Sequence, residues 1–105
     1  MKKTYYKLVR DRIPEIIEEN GQVCVTQVLN PEEYLEMVDA KLDEELVEYH
    51  KDQNLEELAD LMDVIYAAAA ARGFTREQLE RVRAEKEIQR GAFRKRLLLL
   101  EVRDS

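Results

Sequence analysis

Two groups of acidic residues stand at helical spacing on either side of a short polar break: Glu44, Glu45 and Glu48, led by Lys41, and then Glu57, Asp60 and Asp63. Between Leu42 and Ala71 there are nine acidic residues and a single basic one, Lys51. Like charges three and four residues apart on a helix repel by roughly a few tenths of a kcal/mol per pair. A solvated helix face usually relieves that strain with interleaved Lys or Arg, and this stretch does not. A cation therefore belongs there, and oxygen-only ligands favour Mg²⁺, with Mn²⁺ as a substitute, over zinc. Carboxylates that carry Mg²⁺ commonly hold substrate phosphates. A bound ion can also supply a nucleophilic water and neutralise charge on the phosphate under attack.

Position on the helix sharpens the reading. At about 100° per residue, Lys41, Glu45 and Glu48 fall within about a 60° arc. The apolar residues of the same helix, Leu35, Val38, Leu42, Leu46 and Tyr49, centre roughly 90° away. Glu45 is thus expected at the edge of the buried stripe, with Glu48 just beyond it. In the next helix Glu57 shares a face with Leu61, Val64 and Ala68, and Asp60 lies one step outward. An ionised carboxylate beside a dry seam is costly unless it is paired or metal-bound. Glu44 and Asp63 are as consistent with a solvent-facing role, and His50, the only histidine, reads as a surface residue near a helix end.

The elements that must hold these groups are helical. A helix is predicted from about Arg12 to Asn20, with Asp11 as its cap, Pro14 in the first turn and Gly21 as the stop. Asn30-Pro31-Glu32-Glu33 starts a second helix that runs to about Lys51. The break Asp52-Gln53-Asn54 caps a third from Leu55 to about Arg72, ended by Gly73. Thr75 and Gln78 form a capping box for a fourth that ends near Gly91. Residues 23–29 and 97–102 are predicted as a small two-stranded β element. The fold expected is mainly all-α, a single domain over residues 1–105. Its two long antiparallel helices are predicted to complete a four-helix bundle in a homodimer or homotetramer.

Composition narrows the function classes. The 105 residues carry a net charge of −6 and one cysteine, Cys24, so neither an intrachain disulfide nor a cysteine zinc site is available. No signal-peptide core or membrane span is apparent in the sequence, and a cytoplasmic setting without membrane association is expected. The acidic balance argues against general nucleic-acid binding. Charge is nevertheless divided: residues 72–103 hold ten basic and five acidic residues, and the N-terminal end adds Lys2, Lys3, Lys7, Arg10 and Arg12. Acids in the middle and bases at the ends mirror a metal–polyphosphate ligand. Tyr34, Tyr49 and Tyr66 are read as core or interface residues.

The string KxxEExxE at Lys41 to Glu48, followed by ELADL at Glu57 to Leu61, resembles the all-α nucleoside triphosphate pyrophosphohydrolases. This is the superfamily of the MazG-like proteins, the phosphoribosyl-ATP pyrophosphohydrolases of histidine biosynthesis and the dimeric dUTPases. YKLVRDRIPEII at Tyr6 to Ile17 and EKEIQRGAFRKRLLL at Glu85 to Leu99 resemble the flanking signatures of its phosphoribosyl-ATP pyrophosphohydrolase-like subgroup. The resemblance implies Mg²⁺-dependent cleavage of a nucleotide between its α and β phosphates, giving a monophosphate and pyrophosphate. It also implies Glu45, Glu48, Glu57 and Asp60 as metal ligands and Glu44 as the residue acting on the water.

Lys41 is either a partner that orients Glu45 or a phosphate contact. Lys86, Arg90, Lys95 and Arg96, in the matched C-terminal segment, and Lys7, Arg10 and Arg12, at the other end, are the phosphate-binding candidates, since Arg suits bidentate phosphate contacts. Arg83 is expected to pair with neighbouring glutamates. One departure from the family pattern is the short break between the acidic helices, which leaves little loop to recognise a base. Two competing readings remain: hydrolysis of phosphoribosyl-ATP itself, and a non-catalytic helical module for nucleotide binding or dimerisation.

Overall fold

Local hydrogen bonds set where each helix begins. The Asn30 side chain accepts from the Glu33 backbone N–H at 2.9 Å, and the Glu33 carboxylate accepts from the Asn30 N–H. This reciprocal pair opens a helix whose first residue is Pro31, where a missing N–H costs nothing. Asn54 does the same for the Glu57 N–H at 2.9 Å, and Thr75 with Gln78 closes a second capping box. The computed structural model describes residues 2–104 and contains four helices: α1 (Ile13–Glu19), α2 (Pro31–Asp52), α3 (Leu55–Ala71) and α4 (Arg76–Arg90). The fold is all-α, as the sequence pattern predicts, and no helix among the described residues is long and apolar enough to cross a membrane.

The helix ends differ in small, explicable ways from the sequence expectation. α1 begins one residue later, with Arg12 at its N-cap and no side-chain cap from Asp11. α3 ends in a Schellman turn: Gly73 at φ 86° donates to the Ala70 carbonyl, and Phe74 donates to that of Ala69. The left-handed backbone there favours glycine, and the turn fixes where Phe74 emerges. No strand occurs among the described residues. Segments 23–29 and 97–102 lie exposed and unpaired, with Val23, Val25, Val28 and Leu97 to Leu100 all open to solvent. A lone two-stranded ribbon is marginal in water, and neither segment has a buried face to hold it.

α2 and α3, joined only by Gln53 and Asn54, form an antiparallel hairpin, and α4 packs against α3 alone. Arg72 at the end of α3 donates to Asp39 of α2 at 2.9 Å, tying the open end of the hairpin. Two helices make a thin core. Val38 is the one fully buried apolar side chain among the described residues, while Leu35, Leu42, Tyr49, Leu61, Val64 and Ala68 are half-buried between the helices. Leu46, which the periodicity placed in the buried stripe, is exposed, as are Leu58, Met62 and Ile65 along one side of α3.

The chain exposes 10093 Å² of surface. A compact 12.4 kDa domain exposes only about 6,100 Å². The radius of gyration is 18.6 Å, where about 13 Å is usual for this length.

Candidate metal and phosphate site

The α2–α3 hairpin turns its acidic edges toward each other. Glu45 is the one buried charged residue among those described, 8% exposed, at the margin of the seam where its periodicity places it. Its carboxylate lies 3.4 Å from Lys41 Nζ, which also reaches Glu44 at 3.2 Å. Lys41 thus lies between Glu44, to which it donates a hydrogen bond, and Glu45. Its (i, i+4) placement, one turn before Glu45, makes that contact a local one.

Across the seam, one carboxylate oxygen from each of Glu45, Glu57 and Asp60 lies within 4.8 Å of the others. A second triad of Glu48, Asp52 and Glu57 meets the same spacing. Around an octahedral Mg²⁺ at most one pair of three ligand oxygens stands opposite, about 4.2 Å apart, and the others are adjacent at about 3.0 Å, so either triad would draw together to hold an ion. As a donor set of carboxylate oxygens alone, these residues suit Mg²⁺ or Mn²⁺ better than zinc. Glu57 belongs to both triads.

The four ligands implied by family resemblance are thus divided: Glu48 groups with Asp52 and Glu57, and not with Glu45 and Asp60. Asp52 is the acid that sequence reasoning assigned to the break between helices. Its signal was present, since it follows Glu48 by four residues and extends the same acidic stripe. α2 continues to Asp52, one residue beyond the predicted end, and that extra residue keeps the carboxylate in register.

Crowding raises the pKa of Glu57 above the usual carboxylate range. Partial burial is the largest cause, followed by the charges of Asp60, Asp52, Glu45 and Glu48. Opposing the crowding, the helix dipole favours negative charge in the first turn of α3, where Glu57 stands.

Cations from the N-terminal segment enter this cluster. Arg10 donates from Nη2 to Asp60 at 2.6 Å and from Nη1 to Asp63 at 2.8 Å, and these bonds, Asp63 first, raise its own pKa. Lys7 lies 3.4 Å from Glu44. Seven carboxylates (Glu44, Glu45, Glu48, Asp52, Glu57, Asp60 and Asp63) gather with three cations (Lys7, Arg10 and Lys41), leaving four negative charges uncompensated.

The remaining phosphate candidates are not brought to the cluster in this chain. Arg12 bonds Glu15 within its own helix at 3.1 Å. Lys86 and Arg90 on α4, and Lys95 and Arg96 beyond it, are exposed and form no ion pair with the acids among the described residues. Arg83 is gripped by Glu80 and Glu87, as expected of a surface pair. His50 stacks against Tyr49 on the surface and contributes nothing to either triad.

No protein-family model matches the chain, and no solved structure matches it. A 42-residue stretch, 40% of the chain, is 52% identical to an uncharacterized protein of Mycolicibacterium smegmatis. That stretch covers 43% of the relative's length.

Proposed function

We propose that the chain is a Mg²⁺-dependent nucleotide pyrophosphohydrolase, splitting a nucleoside triphosphate or related nucleotide into the monophosphate and pyrophosphate. The observation that carries this reading is the acid cluster: two triads sharing Glu57, a buried Glu45, and four uncompensated charges in one small region. Such an arrangement is unfavourable without a divalent cation and well suited to one or two. The resemblance of the KxxEExxE and ELADL strings to the MazG-like pyrophosphohydrolases supports the same chemistry.

Mg²⁺ bound there would supply the positive charge that makes the α-phosphorus electrophilic and water acidic. The protein's own groups divide the remaining work. Glu45, Glu57 and Asp60 would hold one ion, and Glu48 and Asp52 with Glu57 would hold a second. Glu44, held between Lys7 and Lys41, accepts the proton of the attacking water. Water adds to the α-phosphorus, the bond to the bridging oxygen breaks, and pyrophosphate departs with that oxygen. Arg10, whose fork bonds Asp60 and Asp63, is the guanidinium nearest the cluster and would be available to the phosphates.

The assembly belongs to the same reading. About 4,000 Å² of surface beyond that of a compact domain, with Leu46, Val47, Leu58, Met62 and Ile65 exposed on α2 and α3, supports a chain that completes its bundle with further copies. A homodimer or homotetramer working in the cytoplasm fits the single free cysteine and the apolar stripe Leu58, Met62 and Ile65.

The test is pyrophosphate release across the common NTPs, dNTPs and phosphoribosyl-ATP, with and without Mg²⁺. Metal-dependent release from any of them supports the reading, and turnover of phosphoribosyl-ATP alone would assign the histidine-pathway reaction. Absence of release throughout, from a folded and oligomeric sample, leaves a non-catalytic binding module.

A further inference from the structure

α3 has three separate faces, and only two are used so far. At about 100° per residue, Leu61, Val64 and Ala68 point to α2, and Leu58, Met62 and Ile65 form the exposed apolar stripe. Asp63, Tyr66, Ala67 and Ala70 share a third face, centred about 120° from that stripe. This face forms one side of an open cleft of about 600 Å³ that also includes Phe74 and Arg76. The volume lies within the range of small-molecule sites, about 300–1,000 Å³.

The lining is suited to a flat ring. Ala67 and Ala70 have short side chains, which leaves room above the helix. The Arg76 guanidinium lies over the Tyr66 ring, 4.0 Å from its centroid, presenting a planar cation and an aromatic plane together. Phe74 adds a second ring; it is 56% exposed, and the Schellman turn at Gly73 fixes its place. An open ring at Phe74 beside a guanidinium stacked on Tyr66 suits contact with a nucleic-acid base.

The cleft also adjoins the acid cluster directly. Arg10 and Asp63 line it, and Arg10 bonds Asp60. From Asp60 to Ala67 is seven residues, or about 10 Å along the helix axis. A nucleotide with its phosphates at Asp60 would lay its ribose past Arg10 and its base over Ala67.

We propose that this cleft seats the base of the nucleotide, with Tyr66, Phe74 and Arg76 as its stacking and specificity-determining residues. The inference rests on the nucleotide reading above. It also answers the shortness of the α2–α3 break, because the base is received at the other end of α3. A second copy of the chain is the poorer occupant. Charged Arg10, Asp63 and Arg76 ring this face, whereas interface cores are depleted of charge and the apolar stripe faces elsewhere.

The experiment is an NMR titration of the ¹⁵N-labelled full chain with ribo- and deoxyribonucleoside 5′-monophosphates in EDTA, with inorganic phosphate as control. At least one monophosphate should shift the Tyr66, Ala67, Ala70 and Phe74 amides where phosphate alone does not. Ala70→Leu, which fills the cleft, should weaken that monophosphate about tenfold while Mn²⁺ affinity at the acid cluster is unchanged. Three results overturn the proposal: no shift at these amides with any monophosphate, the same shifts with phosphate alone, or shifts that follow protein concentration and not ligand. Should Ala70→Leu fail to fold, the wild-type titration still decides. The two readings fail separately: shifts without any pyrophosphate release leave the cleft and remove the hydrolase, and release without shifts does the reverse.

Discussion

Arg10 and Asp60, fifty residues apart in the chain, are joined by a 2.6 Å hydrogen bond that places a guanidinium on a carboxylate of one acidic triad. Arg10 completes its fork on Asp63, so the N-terminal segment is fastened across α3 by the acids that would bind the ion. On the proposed reading, guanidinium and Mg²⁺ would compete for one carboxylate. Asp60 and Arg10 are both about half exposed, so the pair is worth no more than about 1 kcal/mol. Arg10→Gln should therefore cost about that much stability or less. It should also raise Mn²⁺ affinity by up to about fivefold, read by calorimetric titration. An unchanged or weaker metal affinity in a folded variant would show that no such competition exists.

Removing a single charge from the cluster separates fold from chemistry. Glu45→Gln and Asp60→Asn keep shape and volume but lose a ligand oxygen's charge. Both should abolish pyrophosphate release and weaken Mn²⁺ binding by at least about tenfold. Thermal stability without metal should change little, because relieved repulsion of roughly a few tenths of a kcal/mol per neighbouring acid offsets the weakened pairing with Lys41 or Arg10. Full activity in either purified variant rules out the ligand assignment.

The raised pKa of Glu57 gives the metal-free protein an unusual response to pH. A carboxylate whose folded pKa exceeds its unfolded value binds more protons when folded, so stability increases as pH falls through that window. Urea midpoints without metal should therefore rise from neutral pH down into the mildly acidic range. Excess Mg²⁺ should reverse the trend, because metal and proton compete at Glu57 and affinity declines as it protonates. Glu80 has the opposite sign: its bond from Arg83 lowers its pKa, so its contribution is present above the ordinary carboxylate value and lost below it. A metal-free midpoint that only falls on acidification contradicts the Glu57 account.

The apolar stripe of α3 should control assembly. Met62→Lys or Ile65→Glu places a charge in the middle of that stripe, where an interface between copies would have to desolvate it. Equilibrium sedimentation is expected to show the parent chain as a dimer or tetramer and these variants as monomers of much lower melting temperature. Variants that stay assembled would move the interface to another face.

The sequence alone determined what depends on near neighbours. Asn30-Pro31, Asn54 and Thr75 with Gln78 start helices through bonds spanning three residues, so α2, α3 and α4 begin where the pattern places them. Glu45 was legible as a seam-edge acid because helical periodicity is a local rule, and the Lys41 contact follows from the same spacing. Tertiary structure decided which distant groups meet. The Arg10 fork, the division of the acids into two triads sharing Glu57, and the cleft beside Tyr66 all depend on how α2, α3 and the N-terminal segment lie together. The unpaired state of residues 23–29 and 97–102 is of the same kind. β propensity is a local preference, whereas a strand exists only where a partner edge and a buried face are present.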